Sequence, residues 1–174
     1  MVEETIYLID LIKFLIQQQR TSFAKVLLKK LVLQYPTQSK YYEYLIIIAT
    51  LNHNRDEYLV WHKIILEKFP GTALDMMARA LFPGEKISNV KAYLKTAIKL
   101  EPQNPNLYYF LSSIYLYNGN YKISLRYANR CLKLDPTFFL AFFLRIGCYR
   151  PMGMQEELLK DTSSVKFYIQ RFKS

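Results

Sequence analysis

Apolar residues recur along this chain at helical steps of three and four residues. In the stretch 106–136 a first stripe consists of Tyr108, Leu111, Ser112 and Tyr115, which share one face of a helix. Asn118-Gly119-Asn120 then interrupts the pattern, because Gly and Asn tolerate the left-handed conformation that ends a helix. A second stripe consists of Tyr121, Ser124, Leu125, Ala128, Cys131 and Leu132. The pattern predicts a pair of helices that ends before Pro136, since proline disfavours helical geometry in the preceding residue.

A similar six-residue segment that ends in proline occurs four times in the sequence. Pro36, Pro70, Pro102 and Pro136 close "LVLQYP", "ILEKFP", "AIKLEP" and "CLKLDP", and consecutive prolines lie 34, 32 and 34 residues apart. A period near 34 is typical of arrays of helix-turn-helix units. The turns between the paired helices are predicted at "NHNRD" in the second unit and at Pro83-Gly84 in the third. In the first unit, Thr21 or Ser22 is the predicted helix cap.

These features resemble the tetratricopeptide repeat, whose pattern is W-x2-L-G-x2-Y, then A-x3-F, then P. Tyr108, Leu111, Ser112 and Tyr115 occupy its first half, and Ser124, Ala128 and Pro136 its second. The resemblance implies an all-α fold, a right-handed α-solenoid of helix-turn-helix repeats with a C-terminal capping helix. Small residues are needed where paired helices cross closely, so Ser112, Ser124 and Cys131 are interpreted as packing residues.

The resemblance covers roughly residues 5 to 160 and implies one domain over 1–174. The expected parts are units at about 5–38, 39–70, 71–104 and 105–138, a partial unit at 139–160 and a capping helix at 163–174. "FFLAFFL" (138–144) is apolar on every side, so a helix formed there must be covered on every side. We expect "VKFYIQRF" of the same chain to cover it, with a homodimer or another partner as the alternative.

By resemblance, the first helix of each unit lines an inner groove that binds a partner. The groove residues are then Lys40, Tyr44, Ile47, Met76, Arg79, Tyr109, Phe110 and Ser113. Such an apolar and aromatic wall suits an apolar or aromatic segment of another protein, which predicts a scaffold, an adaptor or a chaperone. Some relatives clamp the acidic carboxyl terminus of heat-shock chaperones with lysines, asparagines and an arginine spread over three successive units. The matching positions of this chain do not supply that clamp in either register, so we reject that function.

Charge adds a second hypothesis. The net charge is +10, and basic residues follow helical spacing in rows, namely Lys91, Lys95 and Lys99, then Lys122, Arg126, Arg130 and Lys133. Lys25, Lys29 and Lys30 form a similar row, and few acids accompany any of them. The rows are either solvated helix faces or an anion-binding surface for nucleic acid or an acidic surface. No nucleic-acid motif accompanies them.

Residues for catalysis are scarce. The chain has two histidines and two cysteines, without the spacing of a metal site, a phosphate-binding loop or a nucleophile motif. We therefore predict no enzymatic activity, no cofactor and no metal. The longest apolar runs are too short to cross a membrane, and the amino terminus lacks the order of a signal peptide. The expected location is intracellular, in the cytoplasm, with the nucleus as the alternative.

Overall fold

The computed structural model describes residues 2–171, and it describes the side chains of that range except those of 2–6, 17 and 167–171. Within this part of the chain there are ten α-helices and no strand. The helices are α1 (Val2–Gln17), α2 (Thr21–Gln34), α3 (Ser39–Leu51), α4 (Arg55–Lys68), α5 (Ala73–Ala80), α6 (Ile87–Leu100), α7 (Pro105–Tyr117), α8 (Tyr121–Leu134), α9 (Phe139–Met152) and α10 (Gln155–Arg171).

The chain divides into two compact units, residues 1–85 and 86–174. In the first unit, each of the helices α1 to α5 packs against the next one along the chain. In the second unit, α6 to α10 pack in the same serial manner, and α7 also contacts α9. The boundary falls between α5 and α6, inside the third predicted repeat (71–104). The prediction of one domain over residues 1–174 stays a prediction.

Local chemistry accounts for the ends of the helices. Each of the four prolines that end the repeated segments lies two residues after the last residue of α2, α4, α6 or α8. Gly119, which follows α7, has a φ of +71°. It therefore adopts the left-handed conformation predicted for the Asn-Gly-Asn turn. The predicted cap of α2 is wrong, because its N-cap is Arg20, which makes no side-chain capping bond. Thr21 is already helical, and its hydroxyl donates to Asn52 Oδ1 at 3.3 Å.

In the second unit, small residues bring α7 and α8 close together. The Ser112 hydroxyl donates to the Ser124 carbonyl at 2.8 Å, and the Ser124 hydroxyl donates to the Ser112 carbonyl at 2.9 Å. Cys131 is fully buried beside Tyr108, Leu132 and Ala141, and this burial raises the pKa of its thiol. The interpretation of Ser112, Ser124 and Cys131 as packing residues is confirmed.

The first unit is built around α3, whose residues 41–49 are all buried. Tyr58 of α4 is buried as well, and its hydroxyl donates to the carbonyl of Ala78 in α5. A helix surrounded on all sides must satisfy its polar groups internally. The carboxylate of Glu43 in α3 does so with Lys40 Nζ at 2.6 Å.

The last hairpin differs from the predicted partial unit (139–160) and separate capping helix (163–174). Helix α10 is continuous from Gln155 to Arg171 and packs against α9. Arg145 Nη2 of α9 pairs with Asp161 Oδ1 of α10 at 2.7 Å, and Val165 is buried. Phe143 nevertheless remains 45% exposed, so "FFLAFFL" is not covered on every side. Residues 172–174 of the predicted capping helix lie outside the described part of the chain.

Candidate functional site

In the first unit, the predicted groove residues lie on α3 and α5, which contact each other. Tyr44 and Ile47 are only 4% and 6% exposed, so they serve mainly the core. Lys40, Met76 and Arg79 are half-buried. The accessible members of the predicted wall in this unit are therefore one thioether and two basic side chains, and its predicted aromatic member, Tyr44, is buried.

Both of these basic side chains are held by buried carboxylates. Lys40 pairs with Glu43, and Arg79 Nε pairs with Asp75 Oδ1 at 2.7 Å. The backbone N–H of Gly71 donates to Asp75 Oδ2 at 2.8 Å, which fixes the acid in place. The i,i+3 and i,i+4 spacings of these pairs are readable from the sequence. The burial of Glu43 and Asp75 follows only from the packing.

In the second unit, Tyr109, Phe110 and Ser113 lie on α7. Phe110 is 7% exposed, and the Ser113 hydroxyl donates to the Phe110 carbonyl at 2.8 Å. Tyr109 is half-buried, and its ring centroid lies 5.3 Å from those of both Phe110 and Phe138. Phe138, which is also half-buried, is the aromatic residue that our groove prediction missed. Tyr109 and Phe138 together form a partly accessible aromatic surface.

The two cationic rows of the second unit lie on α6 and α8. Five of their residues are exposed, namely Lys95, Lys99, Lys122, Arg126 and Lys133. Lys91 and Arg130 are half-buried against tyrosine rings, at 4.8 Å from the Tyr115 centroid and 5.7 Å from the Tyr108 centroid. None of the seven forms a salt bridge within the described part of the chain.

The lysine row of the first unit is different. The carboxylate of Glu57 in α4 forms salt bridges with Lys25 Nζ at 3.0 Å and with Lys29 Nζ at 3.5 Å. A cavity of about 330 Å³ lies at this contact, lined in part by Asn54, Val60 and Trp61. The acid that pairs with this row lies on another helix, 32 residues from Lys25, so the pattern of the row itself does not reveal it.

The two histidines have different surroundings. His53 is exposed in the turn after α3, and His62 packs on α4 between Tyr58 and Phe82. Across the described residues, no three or more His, Cys, Asp or Glu side chains converge to hold a metal ion. None of the helices in that part combines the length and apolar character needed to cross a bilayer. The predictions of no enzymatic activity, of no cofactor or metal, and of a cytoplasmic location stay predictions.

Comparisons with known proteins agree with the repeat pattern. Residues 105–138 match the family model of the tetratricopeptide repeat. No curated protein sequence matches the chain. Solved structures confirm the predicted fold class, an all-α array of tetratricopeptide-type helical hairpins.

Three of these structures are similar at low sequence identity. TTC0263, a thermophilic tetratricopeptide-repeat protein of Thermus thermophilus, is 15% identical with a TM-score of 0.65, over 91% of this chain and 88% of that one. PilW, a type IV pilus biogenesis factor, is 14% identical with a TM-score of 0.60, over 94% and 77%. YrrB, a tetratricopeptide-repeat protein with an unusual peptide-binding site, is 14% identical with a TM-score of 0.51, over 91% and 82%. At such identities the likeness concerns the fold alone.

Proposed function

We propose that this chain, which has the tetratricopeptide-repeat fold, is a protein–protein interaction module that binds an apolar or aromatic segment of a partner through the first helices of its hairpins. The observation that carries the proposal is the aromatic surface of Tyr109 and Phe138. Both rings are half-buried and in mutual contact, so each is fixed by packing while part of it remains accessible. Rigid aromatic side chains of this kind are preferred anchors in protein interfaces.

The ordered surroundings of Tyr109 and Phe138 support a binding role for this surface. The hydroxyl of the neighbouring Ser113 is occupied by the carbonyl of its own helix. The Phe138 ring lies at the end of the α8–α9 connection and packs on the core cluster that contains Tyr108 and Cys131. A partner segment therefore meets an ordered surface, which lowers the entropy cost of binding. YrrB, one of the proteins with this fold, has a peptide-binding site, and we infer the same class of ligand here.

In the first unit, Met76 is the corresponding accessible apolar contact. Its half-buried thioether lies on α5 one turn or less from the Asp75–Arg79 pair. Methionine adapts to irregular apolar surfaces, while the paired Arg79 retains donor groups for backbone carbonyls of a bound segment. Scaffold, adaptor and chaperone roles all use such a wall. The alternative of a homodimer through the C-terminal region has the partly exposed Phe143 in its favour and stays a prediction.

Selection from a displayed library of random peptides tests this proposal. We expect the wild-type chain to enrich peptides with aromatic or large aliphatic residues. Tyr109→Ala should weaken the binding of the enriched peptides by about 30-fold, corresponding to ~2 kcal/mol for the loss of an aromatic anchor. Phe110 is unsuitable for this test, because its truncation would create a cavity in the core.

Tyr117→Ala is the matched control, since Tyr117 lies on the same helix and is 84% exposed outside the predicted groove. This variant should bind the enriched peptides as the wild type does. Titration by fluorescence anisotropy gives the affinities, and thermal unfolding verifies that both variants are folded. The proposal fails if no apolar peptide is enriched or if Tyr109→Ala binds as tightly as Tyr117→Ala.

A further inference from the structure

Three basic rows that look alike in the sequence have different surroundings in the structure. In the first unit, Glu57 compensates Lys25 and Lys29. In the second unit, α6 and α8 carry seven basic residues and contain no Asp or Glu between their first and last residues. We call these seven residues, Lys91, Lys95, Lys99, Lys122, Arg126, Arg130 and Lys133, the cationic face.

Among the described residues, the acids nearest to the cationic face in sequence form no salt bridge with it. Glu101 follows α6, and its Oε2 accepts the Asn104 side-chain amide at 3.1 Å. Asp135 follows α8, and its Oδ1 accepts the Thr137 hydroxyl at 2.6 Å. Both carboxylates thereby organise the loops that begin the next helices. The charges of the cationic face are consequently without a salt-bridge partner in the described part of the chain.

Tyrosine rings join the two helices of the cationic face. Lys91 Nζ of α6 lies 4.8 Å from the centroid of Tyr115, which stacks on Tyr127 at 5.7 Å with 14° between the planes. The guanidinium of Arg126 in α8 lies 5.6 Å from the Tyr127 centroid. Cations from both helices thus rest on one stacked pair of rings, whose π-electron faces attract them.

These contacts have two consequences for a ligand. The tyrosines hold Lys91 and Arg126 in place before binding, which reduces the side-chain entropy lost when an anion arrives. The stacked rings are already occupied by each other and by the cations, so they are not free to stack on bases. The face therefore suits recognition of charge along a backbone, without readout of base sequence.

We propose that the cationic face is a binding site for the phosphate backbone of a nucleic acid. Lys122, Arg126 and Lys133 follow one face of α8 over eleven residues, a length of about 16 Å. One DNA strand carries about five phosphates over that length, at about 3.4 Å per phosphate.

The exposed neighbours of these cations include the polar Thr96 and Asn129 and the small Ala92. Leu100 at the end of α6 is the one large apolar side chain of the two helices that is more than half exposed. A single such side chain is a small apolar surface compared with that of a helix that inserts into an anionic membrane, which favours a nucleic acid.

Fluorescence anisotropy with a labelled single-stranded oligonucleotide and a labelled duplex of the same length tests this site. We expect both probes to bind, with little dependence on base sequence. If about four phosphates of a single strand are contacted, raising the salt from about 50 to about 200 mM weakens binding about 50-fold. The two probes show which form of the backbone fits better.

Substitutions that remove positive charges test whether the oligonucleotide binds to the cationic face. The triple variant Lys95→Gln, Arg126→Gln and Lys133→Gln removes three exposed cations of the face and should reduce the salt slope of the single strand by about 2. Its matched control, Lys30→Gln, Arg55→Gln and Lys63→Gln, removes three exposed cations of the first unit. The control should retain the wild-type slope, although its net charge changes equally.

Three results would overturn the proposal: no binding at about 50 mM salt, equal losses in the two triple variants, or binding to vesicles that contain phosphatidylserine without binding to either oligonucleotide. Thermal unfolding checks that both triple variants are folded. All six positions lie outside the predicted peptide-binding surface, so peptide enrichment should be unchanged. A failure here is therefore distinguishable from a failure of the protein-binding function.

Discussion

His62 lies on α4 with its imidazole stacked on Tyr58 and tilted against Phe82, at centroid distances of 5.7 and 5.0 Å. Burial among these rings lowers the pKa of His62 below its ordinary value of 6.5, and the nearby Arg79 guanidinium lowers it further, while Asp75 opposes the shift. The folded state therefore binds this proton less readily than the unfolded state does. Stability from His62 is fully present above pH 6.5 and declines as the pH falls below that value.

We predict that His62→Asn reduces the loss of unfolding free energy between about pH 7 and about pH 5. Urea unfolding at several pH values, compared with the wild type, measures this difference. His53→Asn is the control, because His53 is exposed with φ of +52°, a conformation that Asn tolerates. An identical pH dependence in the wild type and in His62→Asn would refute the assignment.

At the scale of elements, a tyrosine hydroxyl ties a hairpin to the one before it. Tyr42 of α3 donates to the Pro36 carbonyl at 3.1 Å, and Tyr108 of α7 donates to the Pro102 carbonyl at 2.9 Å. The two tyrosines occupy the same position of the repeat, each six residues after the proline that ends a repeated segment. By alignment of the repeats, Leu74 corresponds to these tyrosines in the third repeat, where it lies four residues after Pro70 because the connection is two residues shorter, and it carries no hydroxyl.

Removing either hydroxyl should weaken the junction between hairpins. We predict that Tyr42→Phe and Tyr108→Phe each lower the unfolding free energy by about 1 kcal/mol, the net value of one hydrogen bond. Urea unfolding monitored by circular dichroism measures the change. Tyr117→Phe, at a highly exposed position, should have no effect, and equal stabilities of all three variants would contradict the role of the junction bond.

Helix α10 is one continuous element where a partial unit (139–160) and a separate capping helix (163–174) were predicted. Thr162, Ser163 and Ser164 are poor helix formers, since their hydroxyls compete for backbone groups. In the structure each hydroxyl donates to the carbonyl four residues earlier, at 2.7, 2.9 and 3.1 Å. The helix continues through this segment because Asp161 and Val165 are buried, with Asp161 paired to Arg145 of α9. Packing thus outweighs local propensity.

At the scale of the whole molecule, the second unit contains its own hydrophobic cluster. Tyr108, Cys131, Leu132 and Ala141 form its centre. Ile98 of α6 packs against it from one side, and Phe138 and Phe142 contribute from the α9 segment. The packing of every helix of this unit on the next one makes the unit a candidate for independent folding, because repeat arrays depend mainly on contacts between neighbours.

We predict that residues 86–174 expressed alone are helical and unfold cooperatively in urea. A shorter fragment, 105–174, lacks α6 and with it Ile98, so it should be less stable. Far-ultraviolet circular dichroism and urea unfolding compare the two fragments. A non-cooperative transition of fragment 86–174 would show that this unit requires the rest of the chain.

The sequence alone determined the helical repeat, its period and most of its turns. Helical periodicity and the conformational preferences of Gly, Asn and Pro are local properties, so residues such as Gly119 and Pro136 report them directly. Only the tertiary structure decided which side chains remain accessible. Tyr44, Ile47 and Phe110 are buried, and Glu57 compensates one basic row while Tyr115 and Tyr127 support another. Burial and ion pairing depend on other helices, and a local pattern carries no information about such contacts.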